Sequence, residues 1–423
     1  MLIDKNYHHD IISNLPECLR MAILTHLPHL EAVRTSVLSS NWKYTWTKLS
    51  HIKLDETLWP KTSVSKDSAF LTCVRRIFHI VLNHEGPITE VTIALSKLKD
   101  CPEIDNLLLI LSKSDVEGLT LKIQAGQCLL PSSFFKCKNL KHVSLYSYRV
   151  HLPSNFTGFN QLLAIKMDLV SIGSEQLASL VSSCPLLEHL WLRISSTYTY
   201  ESLEIHAPNL KCFKFFSRIK DICFKNSPVL KDVWVVDCTK IGQHSISGYS
   251  KVVELFSSLP DLRFLCFDHK FTKCIASGGV PATPCLTAVH LNAVKLCSFC
   301  LEDTVGMAFV LFLLRIAPNL QDITIYLDDS HDAVSSQSPS LHSLDIEEYS
   351  DVKLDKLRMV MLREFAGAKN QLRLAKLLLI KSPVLKKMII KANTKVCTEK
   401  QLLILKELVR FPRPSPMAEI HYS

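Results

Sequence analysis

The chain has 423 residues, 47% of them hydrophobic and 21% charged, with a formal net charge of +9 at neutral pH. Those proportions suit a folded soluble protein with a sizeable core and exclude extended disorder. The start, MLIDKNYHHD, has neither the basic head nor the apolar stretch of a signal peptide, and the uncharged run Met307 to Leu314 falls far short of the roughly 20 residues that cross a bilayer.

Residues 11 to 50 carry more apolar side chains than three short helices bury among themselves, so a partner is expected. Pro16 suits the first turn of a helix, along which Leu15, Leu19, Ile23 and Leu27 follow at four-residue steps and Leu24 widens the stripe. Pro28 closes that helix, and Leu30, Val33 and Val37 mark a second. Trp42 and Trp46 at i, i+4 predict a third whose aromatic pair shares one face. His26 and His29 straddle a helix end and read as partly exposed surface histidines. Leu71 to Leu82 and Glu103 to Ser112 read as helices, Val91 to Leu95 and Leu119 to Ile123 as strands.

From residue 138 one phrase recurs: KNLKHVSL at 138, PLLEHLWL at 185, PNLKCFKF at 208, PVLKDVWV at 228, PDLRFLCF at 260, PCLTAVHL at 284, PNLQDITI at 318 and PVLKKMII at 383. Its last apolar positions alternate as in a short strand with one buried face. Starts from 185 to 318 lie 23, 20, 32, 24 and 34 residues apart, around the length of a leucine-rich repeat. Helical stretches fall between phrases: one capped by Ser174, one over Val252 to Ser258, and one over Asp303 to Ala317 with Val305, Phe309, Phe312 and Leu313 on one side. Strand, turn, helix, turn in series predicts a curved array with parallel strands on its concave face and helices on its convex one.

Residues 346 to 423 depart in rhythm: a helix around Gln371 to Ile380, the phrase SPVLKKMII, a basic helix Glu399 to Val409, then FPRPSPMAEIHY. Residues 353 to 413 hold 16 Lys or Arg against four Asp or Glu, so the basic character belongs to this end of the chain. The cations alternate with leucines and few aromatics accompany them, which points to a solvated basic surface rather than to a base-stacking one.

The 15 cysteines lie mostly inside apolar runs such as Leu265-Cys266-Phe267 and read as small core residues in a reducing compartment. Cys297 and Cys300, with Cys285 and His290 upstream, lack the second pair that a zinc site needs. Asp328, Asp329 and Asp332 with His331 read as a solvated acidic turn before the link SSQSPS. With no phosphate-binding loop, GxSxG elbow or HExxH helix in the sequence, neither a catalytic residue, a metal nor a cofactor is expected.

Leu15-Pro16, the Ile23-Leu24 pair, Leu27-Pro28, the phrase AVRTSVLSSNW at 32 to 42, and Trp46 stand in the order of the F-box, which this segment resembles, particularly in its plant form. The resemblance implies that residues about 8 to 52 dock on a Skp-type adaptor, linked to a cullin and a RING protein, through Leu15, Pro16, Leu19, Ile23, Leu24, Leu27, Val33, Val37, Trp42 and Trp46. Asn41 and Thr45 depart from the pattern, standing where Lys or Arg and Leu are usual. The repeats resemble the degenerate leucine-rich repeats of plant F-box proteins, and the C-terminal segment, with Phe365, Gly367 and its F-P-R-x-S-P-x-A-E-I-x-Y ending, resembles their FBD module. An α/β chain is thus expected: a three-helix F-box (8 to 52), an irregular leucine-rich-repeat solenoid (53 to 345) and an FBD-like cap (346 to 423). The implied function is substrate recognition for a ubiquitin ligase, in the nucleus and/or cytoplasm, with an unknown protein target on the repeats and no membrane partner. A non-ligase scaffold, a nucleic-acid-associated protein using the basic C-terminal module and a small-molecule sensor are the alternatives.

Overall fold

The computed structural model describes residues 10–60, 66–95, 102–122, 128–195, 199–237, 250–328, 349 and 351–423. Asp329, His331, Asp332 and the SSQSPS link lie outside the described residues. The chain divides into two compact units, one comprising residues 1–172 and 183–187, the other residues 173–182 and 188–423.

The first unit holds α1 (Glu17–Thr25), α2 (His29–Arg34), β1 (His51–Leu54), α3 (Lys66–Leu82), β2 (Glu90–Ala94), α4 (Pro102–Leu111), β3 (Gly118–Lys122), β4 (Cys128–Leu129), β5 (His142–Tyr146), β6 (Tyr148–Arg149) and β7 (Ala164–Val170). Strands β1, β2, β3, β5 and β7 pair parallel in that order, with Ile52, Val91, Leu119, Val143 and Ile165 in one row. β4 pairs with β6 in a short second layer.

The second unit holds α5 (Ser174–Ser182), β8 (His189–Ile194), β9 (Tyr200–His206), β10 (Cys212–Phe215), β11 (Ile219–Lys225), β12 (Asp232–Val235), α6 (Val252–Ser257), β13 (Phe264–Asp268), α7 (His269–Ile275), β14 (Ala293–Phe299), α8 (Thr304–Ile316), β15 (Asp322–Leu327), β16 (Met359–Phe365), α9 (Lys369–Ile380), β17 (Lys387–Ala392), α10 (Thr398–Arg410) and β18 (Glu419–Tyr422). Its main sheet is again parallel, with Leu190, Phe213, Val233, Leu265, Val294, Ile323, Val360, Met388 and Ile420 in one row.

Each main-sheet strand before β18 carries the same buried triplet, one residue just ahead of the strand and two within it. Leu49, Ile52 and Leu54 begin the series and Leu385, Met388 and Ile390 end it. Full burial of one such side chain is worth about 1.5–3 kcal/mol, so the triplet sets the register of every strand. In β18 the same positions, Met417, Ile420 and Tyr422, lie exposed or half-buried.

The triplet corrects several expectations. PCLTAVHL forms no strand: Val289 and His290 make a turn, and Leu291 is the first core residue of β14 rather than the last of the phrase, followed by Val294 and Leu296. The uneven spacings of 24 and 34 residues thereby become 29 and 29, from Leu262 to Leu291 to Leu320. Between β8, β10 and β12 the repeats are too short for a helix, and the paired strands β9 and β11 stand there instead. Leu203 and Ile205, like Ile222 and Phe224, are buried at two-residue spacing. The helices-only back of the solenoid is therefore replaced here by a second parallel layer. Past the change of rhythm at 346 the sheet goes on, with Leu357, Val360 and Leu362 as one more triplet and β16 paired with β15.

A left-handed residue follows the triplet in four repeats: Ser147, Leu169, Ser298 and Glu364, at φ of 62°, 54°, 46° and 55°. Each lies two residues after the last core position and one before a buried Tyr148, Val170, Phe299 or Phe365. Strict alternation would turn that next side chain to solvent; the extra residue turns it inward. Register shifts between Leu296 and Phe299 and between Leu362 and Phe365 record the bulge.

Candidate functional site

Pro16 starts α1 with φ −52° and no side-chain cap, and the helix runs to Thr25. Pro28 stands in the same relation to α2, which continues as a 3-10 turn over Thr35–Val37. The expected third α-helix is absent; residues 40–44 are turns and Thr45–Lys48 a 3-10 turn. The two tryptophans therefore do not share a helix face, although both are buried. Trp42 Nε1 donates to the Ile12 carbonyl at 2.9 Å. Trp46 meets the His29 ring edge-on and stacks on His79 of α3, each at 6.2 Å between centroids.

The ten residues singled out in the sequence fall into two groups. Leu24, Trp42 and Trp46 are 1%, 2% and 5% exposed and belong to the core. Leu19 and Ile23 on the opposite side of α1 and Leu27 just past its end are 51%, 42% and 38% exposed, Val37 is 88% exposed, Pro16 is exposed, and Leu15 and Val33 are half-buried. The four-residue stripe is thus the solvent-facing side of α1, and the residue that widened it is the one turned inward. Ile11, Ile12, Leu38 and Tyr44 are also exposed, and no periodicity distinguishes them. So many large exposed apolar side chains in one short segment are unusual for a surface that meets only water.

Asn41 and Thr45 are tied to this scaffold. The Asn41 side chain donates to the Ser13 carbonyl at 3.0 Å, while its own carbonyl accepts from the Thr45 hydroxyl at 2.9 Å and from the Arg20 guanidinium. Thr45 is buried, so its departure from leucine is a change within the core. Lys48 and Glu17 form an ion pair at 2.7 Å between the 3-10 turn and α1, holding the Glu17 carboxyl below its ordinary range. The segment is also continuous with the first sheet, since Glu85 and Gly86 donate backbone N–H groups to the Thr47 carbonyl and β1 pairs with β2. His29 is buried, not a surface residue, and burial lowers its pKa to about 4. His26 is exposed.

Elsewhere the thiol of Cys297 lies 3.8 Å from that of Cys266 on the neighbouring strand. No group of three or more His, Cys, Asp or Glu side chains among the described residues is placed to hold a metal. Nor is any described helix long and apolar enough to cross a membrane. In the C-terminal segment Phe365 is buried and Gly367 has φ +70° with Ile404 of α10 against it, which is why this turn takes glycine. The Ala366 and Gly367 N–H groups both donate to Gln371 Oε1.

The F-box domain model matches residues 12–54, and a model described as FBD-associated F-box protein At5g56370, LRR repeats, matches residues 104–325. F-box/FBD/LRR-repeat protein At1g13570 of Arabidopsis thaliana is 32% identical over 421 residues, covering 97% of this chain and 98% of its own. FBD-associated F-box protein At5g56370 of the same plant is 25% identical over 97% of this chain and 99% of its own. A solved LRR protein of Leptospira interrogans, LIC12759, aligns with 79% of this chain and 89% of its own at a TM-score of 0.24 and 13% identity, too slight a likeness to carry an argument. With family models on both segments and a relative matched over nearly its whole length, the chain belongs to the plant F-box/FBD/LRR-repeat protein family.

Proposed function

We propose that this protein is a substrate-recognition subunit of a Skp–cullin–F-box ubiquitin ligase. Residues about 8 to 52 hold the Skp-type adaptor, the repeats up to about 345 select a target protein, and residues 346 to 423 close the array. The carrying observation is the exposed stripe of Leu19, Ile23 and Leu27, on and just past a helix whose other side is anchored by buried Leu24. Pro16, Leu15, Val33 and Val37 complete the contact set; Leu24, Trp42 and Trp46 support it from within. The subunit performs no bond chemistry. By holding adaptor and target together it raises the local concentration of target lysines at the conjugating enzyme. Such a subunit works in the nucleus or cytoplasm.

The test is capture of Skp-type adaptor and cullin by the intact chain and by Leu19→Asp/Ile23→Asp. Adaptor retained by the wild type and lost by the variant, with unchanged thermal unfolding, supports the reading. Absence of capture by a folded wild type overturns it.

A further inference from the structure

The solvent-facing side of the second unit's sheet carries a ladder of cations and aromatic rings. Register places Trp191, Lys214, Trp234, Cys266, Lys295, Thr324 and Met361 in one row across β8, β10, β12, β13, β14, β15 and β16, all half-buried except Cys266, which is fully buried. No acidic residue stands in that row. Two positions further along their strands stand Arg193, Asp268, Cys297, Tyr326 and Arg363; the one acid among them, Asp268, is buried and accepts backbone N–H groups of Phe271 and Asp237.

The cations are held on the rings. Lys214 Nζ lies 4.9 Å and Lys295 Nζ 5.4 Å from the Trp234 ring centroid. Lys295 Nζ is also 5.0 Å from the Tyr326 ring, and the Arg363 guanidinium lies 5.1 Å from it on the far side of the row. Among the described residues Lys214, Lys295 and Arg363 form no ion pair, whereas Lys211 at the start of β10 is paired with Glu188 at 2.7 Å. Each ring contact fixes a long, flexible cation in a set place, which lowers the entropy cost of meeting an anion there.

From this geometry we infer that the ladder is the target-binding face of the reading above, and that its ligand is an acidic, extended peptide segment of a protein. The row crosses six strand spacings, roughly 29 Å, the reach of about nine extended residues. Lys214 and Lys295 both reach the Trp234 ring, so their ammonium groups stand no more than about 10 Å apart, a spacing that admits carboxylates two residues apart on one side of an extended chain. A nucleic acid fits less well. Base stacking needs open ring faces, but Trp234 is already engaged by Phe264, stacked at 4.8 Å, and by two lysines, while Tyr326 is engaged by Lys295 and Arg363.

The probe is a fluorescein-labelled nonapeptide of alternating Glu and Ala, titrated by anisotropy at low ionic strength against the intact chain. The matched Gln-Ala peptide, an oligo-dT nonamer, and the variants Lys214→Glu/Lys295→Glu and Arg363→Gln complete the set, with thermal unfolding of each variant as the check on folding. The Glu peptide should bind at least ten-fold more tightly than the Gln peptide. Each variant that melts as the wild type does should lose at least ten-fold for the Glu peptide while capturing the adaptor undiminished. Equal binding of both peptides, unchanged binding by both variants, no binding by the folded chain, or tighter binding of oligo-dT overturns the inference. Loss of adaptor capture by the wild type with peptide binding intact overturns the ligase reading alone.

Discussion

The imidazole of His29 lies edge-on to the indole of Trp46, 6.2 Å away at 88°, and both rings are buried. Burial is the largest cause of the His29 shift to about 4, with the charges of His84 and His51 adding to it. The unfolded chain, with an ordinary value near 6.5, therefore binds a proton that the folded chain refuses. Stability from this residue is complete above pH 6.5 and is lost as pH falls toward 4, by up to about 3 kcal/mol. The urea midpoint should fall between pH 7 and pH 5, and His29→Phe should remove much of that fall.

Asp268 works in the opposite direction. Burial raises its carboxyl to about 7, offset in part by the backbone N–H groups of Phe271 and Asp237. A raised carboxyl contributes stability that is full below about pH 4 and is lost as pH rises toward 7. Asp268 also caps α7. Asp268→Ala should therefore cost more at pH 5 than at pH 8, on top of a cap loss of about 1–2 kcal/mol. Denaturant titrations at the two pH values measure the difference.

Leu24 and Leu19 lie on opposite sides of one helix and should respond oppositely. Leu24→Ala opens a cavity in the core and should cost about 2–5 kcal/mol. Leu19→Ala should leave the unfolding midpoint nearly unchanged and weaken adaptor capture. Equal destabilisation by both would contradict the orientation of α1.

The left-handed residues after the triplet predict gains. Ser298 and Glu364 are exposed and carry a Cβ in a region that disfavours one. Ser298→Gly and Glu364→Gly should each raise stability by about 0.5–1 kcal/mol in urea titrations.

Gly306 predicts the reverse. It stands in the first turn of α8 against the Cys300 carbonyl, and an added Cβ would overlap that oxygen. Gly306→Ala should cost on the order of 1–3 kcal/mol and lower the thermal midpoint.

Much of this was legible in the order of residues because a parallel strand with one buried face leaves a period-two signature that needs no knowledge of neighbours. The phrases at 138, 185, 208, 228, 260, 318 and 383 each led to a strand. The phrase at 284 failed because Leu291 serves equally as the last residue of one triplet or the first of the next, and only pairing with β13 and β15 chooses. The exposed stripe of α1 could be read as a stripe from spacing alone. Its direction could not, since Leu24 and Ile23 are adjacent, equally apolar side chains and helix period does not say which faces solvent. The same holds for Trp42 and Trp46, which look like docking residues until Ile12, His29 and His79 are seen to enclose them. Sequence alone determined the strands that follow seven of the phrases, the α/β class and the family, because these rest on local periodicity and motif order. Tertiary structure decided which apolar residues are core and which are surface, and gathered Lys214, Trp234, Lys295, Tyr326 and Arg363 from different repeats into one ladder, because cross-strand register is a property of neighbours far apart in the chain.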